Sequence, residues 1–423
     1  MKAAILAIGD EIVCGTTLDT NSAFLAGELR PVGVDPVAGF AVPDDEEDIV
    51  RALERALQDA ELVVCTGGLG PTADDLTTAC VARVAGRELE LHEPSLEAIR
   101  ERFRARGLEM TENNRKQALF PAGSFVIPNP NGTAPGFVCP VERGGVVRHV
   151  ACLPGVPRET RAMVPETLVP WVQARQPDRR YASRTFSTFG VTESRLDELL
   201  VGVVAADEAR LAFRAAFPRI QARLTVSGAP DEDLGARLDA LEARVRERLG
   251  SHVYAVGDEG MEETVGRLLR ERGLTLAVAE SCTGGRIGDW ITDVPGSSDY
   301  FLLGVATYAD AAKERVLGVA AATLAAHGAV STQAAEEMAG GVRALAGADL
   351  GLATTGIAGP GGGTPEKPVG TVCIGLAWEG GVWSRRFDLG PRGRDWVKGM
   401  TSQLALDRLR RWLLGEPYDA PRW

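Results

Sequence analysis

The chain is 423 residues long, a length for two to four domains rather than one. Hydrophobic residues at 45% suffice for large cores, and a formal net charge of -12 argues against a broad phosphate-tracking surface while leaving room for a local basic pocket. The seven cysteines (Cys14, Cys65, Cys80, Cys139, Cys152, Cys282 and Cys373) are scattered with no C-x-x-C, which predicts reduced thiols, mainly in core packing. The apolar opening run is short, has one leading Lys2 and ends in Gly9-Asp10-Glu11, so it reads as a buried strand and not a signal peptide. No later apolar segment reaches membrane-spanning length, and the expected location is the cytoplasm.

The elements then alternate. Residues 3–8 read as a strand, 20–29 as a helix, 36–42 as an extended piece, and 46–59 as a helix with Ile49, Val50, Leu53 and Leu57 at helical spacing. Residues 62–66 are apolar throughout and predict a central strand running into Gly67-Gly68-Leu69-Gly70-Pro71-Thr72-Ala73-Asp74-Asp75. Helices at 76–86 and 94–106, a loop dense in Pro and Gly at 128–136, a strand at 146–153 and a helix at 159–173 complete a first domain. Strands alternating with helices predict a parallel sheet covered on both faces, with ligands at the carboxyl ends of the strands.

Residues 181–255 read as β-α-β-β-α-β, with strands at 185–190, 210–217, 219–227 and 253–255 and helices at 192–203 and 231–249. This small sandwich has no Gly-x-x-Gly loop and few aromatics, which favours a spacer or dimerisation module over RNA binding. The α/β pattern resumes with a helix at 261–272, a strand at 274–279, a helix at 286–292, a strand at 302–308 and helices at 313–317, 320–327 and 332–346. A strand at 350–355, a hairpin at 369–379 and 383–389, and a helix at 394–414 close it.

Two stretches carry chemistry. Gly67-Gly68-Leu69-Gly70 follows a strand, so its amides can face a phosphate; Asp74 and Asp75 beside it would repel that ligand unless a cation lies between, or one of them caps the next helix. Asp10-Glu11 and Asp44-Asp45 fall on the same rim. In the second stretch, Ala279-Glu280-Ser281-Cys282-Thr283-Gly284-Gly285 is a strand-to-helix turn that places a hydroxyl beside backbone N–H groups, a position suited to a nucleophile or to an anion.

The first stretch, with Gly9-Asp10-Glu11, Asn114-Arg115-Lys116-Gln117-Ala118, Asn131-Gly132-Thr133-Ala134-Pro135-Gly136 and Leu153-Pro154-Gly155-Val156-Pro157, resembles the N-terminal domain of the CinA family, which is similar to molybdopterin-binding proteins of the MogA/MoaB type. The second, with Gly356-Ile357-Ala358-Gly359-Pro360 and Lys367-Pro368-Val369-Gly370-Thr371-Val372, resembles that family's other half. The resemblance implies an α/β protein of three domains: a MogA/MoaB-like α/β sandwich at 1–175, a small α+β KH-type linking domain at 176–256 and an α/β CinA deamidase domain at 257–415, with a tail at 416–423. It further implies a homodimer with two activities on small nucleotides. One is hydrolysis of the amide of nicotinamide mononucleotide (NMN) to nicotinate mononucleotide and ammonia, with no cofactor. The other is ADP-ribose pyrophosphate hydrolysis with a divalent metal.

On that basis the N-terminal substrate is expected on Gly67, Gly68, Gly70, Pro71, Thr72 and Lys116, and the metal on Asp10, Asp44, Asp74 and Asp75. In the C-terminal half, Ser281 is the expected nucleophile with Cys282 as its rival. The four histidines all lie outside these motifs, so Lys313 is the expected base and Tyr308 a relay or orienting group. Thr283, Gly284, Gly285, Thr355 and Gly356 are expected on the substrate, and Arg394 on its phosphate, with Arg392, Lys398 and Arg286 as substitutes. Where the family commonly has Tyr-Ser-Asn-x-x-Lys, this chain has Tyr308-Ala309-Asp310-Ala311-Ala312-Lys313, and a carboxylate there works against a neutral Lys313. Two other readings stand beside this one: a scaffold linked to competence or DNA repair, without direct nucleic-acid binding, and molybdopterin binding by the first domain.

Overall fold

The computed structural model describes residues 1–176, 178–205 and 207–419; of the tail at 416–423, residues 420–423 lie outside the described residues. The chain gathers into two compact units, Met1–Ser183 with Thr225–Ala236, and Arg184–Leu224 with Arg237–Trp423.

The first unit is built on a six-stranded sheet. Leu62–Thr66, buried at every position, lies between Lys2–Ile8 and Val146–Leu153, all parallel, with Asp35–Val42 parallel at one edge. Alternate residues of these strands feed two cores. Leu6, Ile8, Val63 and Cys65 pack with the Glu46–Asp59 helix, while Ile5, Leu62 and Val64 pack with Leu25, Leu29, Met163 and Trp171 on the other face. The Glu46–Asp59 helix forms as its spacing predicts, and Asp45 caps it by accepting the amides of Glu47 and Asp48, worth about 1 kcal/mol.

Two readings of this half need correction. The sheet is not wholly parallel: Gly136–Arg143 and Phe125–Ile127, unread as strands in the sequence, continue it antiparallel. Pro140 hid the longer one. It is tolerated because Phe125–Ile127 pairs only with residues 136–138, leaving the strand at an edge by residue 140. The single helix expected at 159–173 is Pro157–Met163, a π-turn at Val164–Leu168, and Val169–Gln173, because Pro165 and Pro170 cannot donate to the preceding turn.

The central β-α-β-β-α-β order forms, as a four-stranded sheet in the order Arg210–Ala216, Arg219–Gly228, Arg180–Thr188, Val253–Val256. The C-terminal sheet runs Phe301–Ala306, Leu276–Glu280, Leu350–Gly356, Thr371–Trp378, Gly381–Asp388, the first three parallel and the last two a hairpin. Helix Arg394–Leu414 is buried along most of its length, including Asp407 and Arg410, which pair at 2.9 Å. Within each unit the carboxyl ends of the parallel strands make one rim, and the glycine turns lie on it.

Candidate active sites

At the C-terminal rim, Leu276–Glu280 ends in a carboxylate and the Arg286–Thr292 helix begins six residues later. Glu280 is 2% exposed and accepts hydrogen bonds from the amides of Gly285, Ile287 and Gly288 at 2.9–3.2 Å. A buried carboxylate set on a helix N-terminus meets both the unpaired donors and the positive end of the dipole. The turn is thereby fixed from behind. The amides of Cys282 and Thr283 lie against the Cys282 sulfur, which leaves the Gly284 amide to offer a ligand. Gly284 and Gly285 sit at φ 64° and 95°, where a Cβ would be strained.

Ser281 is 8% exposed, and its amide donates to the Thr354 carbonyl at 2.9 Å. Thr354 also bonds Thr283 through the two hydroxyls, 2.8 Å apart. Cys282 turns the other way into the hydrophobic core, where burial pushes its thiol up to about 12, with Glu280 adding to the rise. At neutral pH that thiol is protonated and inert, so of the two rivals only Ser281 stands at the rim.

Lys313 is 1% exposed, on the helix Asp310–Leu317. Its Nζ donates to the carbonyls of Thr307 at 3.0 Å and Tyr308 at 3.3 Å, while the Thr307 amide donates to the Glu280 carbonyl at 2.9 Å. The lysine is thus one residue pair from the serine turn, and Cys282 contributes to its electrostatics. Burial holds its pKa below the ordinary lysine value; Asp310, 3.8 Å away and 62% exposed, pulls upward but does not outweigh it. A neutral amine has two N–H donors, both met by these carbonyls, and keeps its lone pair. Among the described residues no hydrogen bond joins Ser281 Oγ to Lys313 Nζ.

Tyr308 is 62% exposed and its hydroxyl accepts from Arg394 Nη2 at 2.7 Å, so it belongs with the arginine and not with the core. Arg394 Nη1 donates to the Gly359 carbonyl at 2.9 Å. Of the substitutes, Arg286 is held by Asp395 at 2.6 Å and Arg392 lies over the Trp396 ring, whereas Lys398 reaches the turn, its Nζ 3.5 Å from where a Cβ on Gly284 would be. Thr355 is placed differently from its expected role: its hydroxyl donates to the Ala329 carbonyl at 2.8 Å, and its neighbour Thr354 faces the turn. Gly356 is spent in strand pairing, opposite Val372.

The N-terminal rim encloses a cavity of about 510 Å³ lined by Gly9, Glu11, Asp44, the Gly67–Pro71 loop, Asp74, Gln117, Thr133 and Glu159, among others. Gly67, at φ 103°, lies against the Ile8 carbonyl where no Cβ fits. Asp75 is not free for a cation. Its Oδ1 accepts from the Gly70 amide at 2.7 Å and its Oδ2 from the Thr72 amide at 2.8 Å and the Thr72 hydroxyl. With the Gly67 amide donating to Leu153, the loop amides left for a phosphate are those of Gly68 and Leu69. Neither Asp74 nor Asp75 caps the following helix. Lys116 Nζ donates to the Thr72 carbonyl at 2.7 Å, at the mouth of the loop.

Asp10 and Asp44 each accept the other's amide, at 3.2 and 3.1 Å. Partial burial raises the Asp44 pKa, and Asp10, Glu11 and Asp74 push it further. The four aspartates therefore do not form one ligand set, and among the described residues no group of three or more His, Cys, Asp or Glu side chains could hold a metal ion. Of the four, Asp44, Asp74 and Asp75 line the cavity and Asp10 does not; with Asp75 taken up by the loop, a hard cation there would be held by Asp44 and Asp74 and completed by phosphate oxygens, the mode usual for magnesium. Glu11, Gln117, Thr133, Glu159, Glu280 and Thr354 are the residues the sequence reading gave no role. No helix among the described residues is long and apolar enough to cross a membrane.

Residues 4–174 match the family described as "Probable molybdopterin binding domain", 183–255 the "Damage-inducible protein CinA KH domain" and 258–413 the "CinA C-terminal domain". A "CinA-like protein" of Geobacter metallireducens is 45% identical over 420 residues, covering 98% of this chain and 100% of its own. Another from Geotalea uraniireducens is 42% identical over 418 residues, covering 98% of each. A crystal structure of the protein CinA from Thermoplasma acidophilum, at 38% identity, covers 40% of this chain and 95% of its own with a TM-score of 0.36. With identity of this extent running through all three domains, the chain belongs to the CinA family.

Proposed function

We propose that the C-terminal half hydrolyses the carboxamide of NMN to nicotinate mononucleotide and ammonia. The observation that carries this is a rim serine on a turn locked by Glu280, beside a buried lysine whose pKa is lowered by burial. Ser281 Oγ attacks the amide carbon and gives its proton to Lys313 Nζ, and the Gly284 amide of the turn is the donor for the oxyanion. Lys313 returns the proton to the leaving nitrogen, ammonia departs, and water cleaves the ester. Arg394 and Lys398 are the cations for the substrate phosphate.

The purified chain is expected to release ammonia and nicotinate mononucleotide from NMN. Since the neutral amine is the base, kcat/KM should rise with pH through an ionisation below the ordinary lysine value of 10.5. The sign is the same for stability. Between the two values the unfolded lysine still binds its proton while the folded one has lost it, so Lys313 makes unfolding harder as pH rises. Lys313→Met should remove that limb of the profile. A rate that falls on the alkaline side, or no ammonia at all, would refute the assignment.

For the N-terminal half we propose pyrophosphate hydrolysis of ADP-ribose, with Gly68, Leu69 and Lys116 on the phosphates. A divalent metal held by Asp44 and Asp74 would supply the charge that lets a dianionic ligand approach these carboxylates. Exhaustive chelation is expected to stop ADP-ribose cleavage and leave NMN deamidation unchanged. ADP-ribose turnover that survives chelation would remove the metal from the account.

A further inference from the structure

The hairpin of Arg210–Ala216 and Arg219–Gly228 belongs to the central domain, yet its tip ends against the C-terminal one, inside the same compact unit. Phe217 at that tip packs on Trp396, with ring centroids 5.3 Å apart and planes inclined by 32°. The Phe217 ring is still 51% exposed, so the contact is not core packing. The hairpin behind it is anchored. Arg219 Nη1 donates to the Asp258 carbonyl and Gln221 Nε2 to the Asp258 carboxylate, both at 3.3 Å, and Gln221 is buried.

Trp396 sits in the first turn of the Arg394–Leu414 helix, between the two cations assigned to the substrate phosphate, Arg394 and Lys398. Its ring also carries the Arg392 guanidinium, 5.1 Å from the centroid. Gly399, one residue past Lys398, lets the tip come down: a Cβ there would lie 3.1 Å from the Phe217 ring and 3.3 Å from Arg286 Nη1. From this turn the reacting groups are close. Lys398 Nζ reaches the Gly284 position of the serine turn, and Arg394 holds the Tyr308 hydroxyl at 2.7 Å. An aromatic pair is directional as well as attractive, so the anchored tip fixes where Trp396 lies. A helical turn moves as one piece, and the cations on either side of Trp396 are fixed with it.

We infer that Phe217 is a positioning residue for the substrate phosphate, through which the central domain sets the helix turn that presents Arg394 and Lys398. The inference rests on the deamidase reading for its ligand. Phe217 lies on the helix and not on the Ser281 turn, so its effect falls on binding and not on the chemical step, and only on ligands that carry the phosphate.

The test uses the full chain with NMN and with nicotinamide riboside, the same molecule without its phosphate. Affinities are titrated by calorimetry in a Ser281→Ala background, where the ligand is not consumed, and KM and kcat are read with Ser281 present. Phe217→Ala is expected to weaken NMN binding and raise its KM about three- to tenfold, the worth of an aromatic pair, with kcat, riboside affinity and the melting profile unchanged. Phe217→Tyr should restore the parent values. Phe217→Leu keeps an apolar side chain at the tip but no ring; it should fall with alanine, and it carries the test if the alanine chain does not fold. NMN affinity equal to the parent in the alanine and leucine variants would overturn the inference, and so would an equal loss for NMN and riboside, the mark of a merely structural contact. Deamidation at the parent KM in both variants would overturn it while leaving the deamidase reading intact. A chain that binds NMN with this dependence on Phe217 but releases no ammonia would support the positioning role and defeat the deamidase reading, and a chain that binds no NMN would defeat both.

Discussion

Ser281→Ala is expected to lower ammonia release from NMN roughly 10⁴-fold or more, the scale seen when a covalent nucleophile is removed. The same variant should cleave ADP-ribose at the wild-type rate, since its residue belongs to the other compact unit. It should also melt like wild type, because the bond that ties Ser281 to the sheet is made by its amide to Thr354, which alanine keeps. The comparison with Cys282→Ala separates the two rivals. Its thiol, pushed up to about 12 inside the core, contributes packing, so that variant should lose some stability and little rate. The opposite pattern, with deamidation lost in Cys282→Ala and kept in Ser281→Ala, would assign the nucleophile to the sulfur.

Glu280→Ala should be the most damaging substitution at this rim for the fold and the second most damaging for the reaction. It strands the amides of Gly285, Ile287 and Gly288, three donors now satisfied by a carboxylate that is 2% exposed. Breaking a buried charged set of this kind costs about 3–5 kcal/mol, which lowers the melting temperature by roughly 10 °C in a unit of this size. With the turn released, the Ser281 hydroxyl loses its fixed position, and a displacement of about 1 Å costs about 100-fold in rate. Glu280→Gln, which keeps one acceptor oxygen of the same shape, is expected to recover most of the stability. Thermal melts and kcat for NMN together check this. A Glu280→Ala chain that melts and turns over as wild type would show that the turn holds itself.

Much of this was legible in the residues, and what was missed has physical reasons. The Glu46–Asp59 helix falls where its apolar spacing puts it, the Arg394–Leu414 helix has its expected bounds, and Leu62–Thr66 is central because it is apolar on both faces. Gly136–Arg143 was hidden by Pro140, which reads as a strand breaker until the short partner strand is known. Thr355 is expected at the site because it ends the predicted strand, but a strand buried on both faces carries no alternation to show that Thr354 is the hydroxyl that meets the turn. Asp75 read as a metal ligand because an aspartate that ties a glycine loop together has the same sequence appearance as one that faces a cation. Glu280 reads in the sequence as one residue of the turn, whereas it ends the strand Leu276–Glu280. A buried carboxylate directly before a glycine turn and a helix start is the signal that could have found it.

The claim at the centre is that Ser281 forms an ester with the nicotinate carbonyl. Wild-type chain turning over NMN labelled at the carboxamide carbon, quenched in acid and digested, is expected to carry the label on the peptide of residues 279–285, with fragmentation placing it on Ser281. Label on Cys282, or steady ammonia release with no label on the peptide at any quench time, would contradict the account.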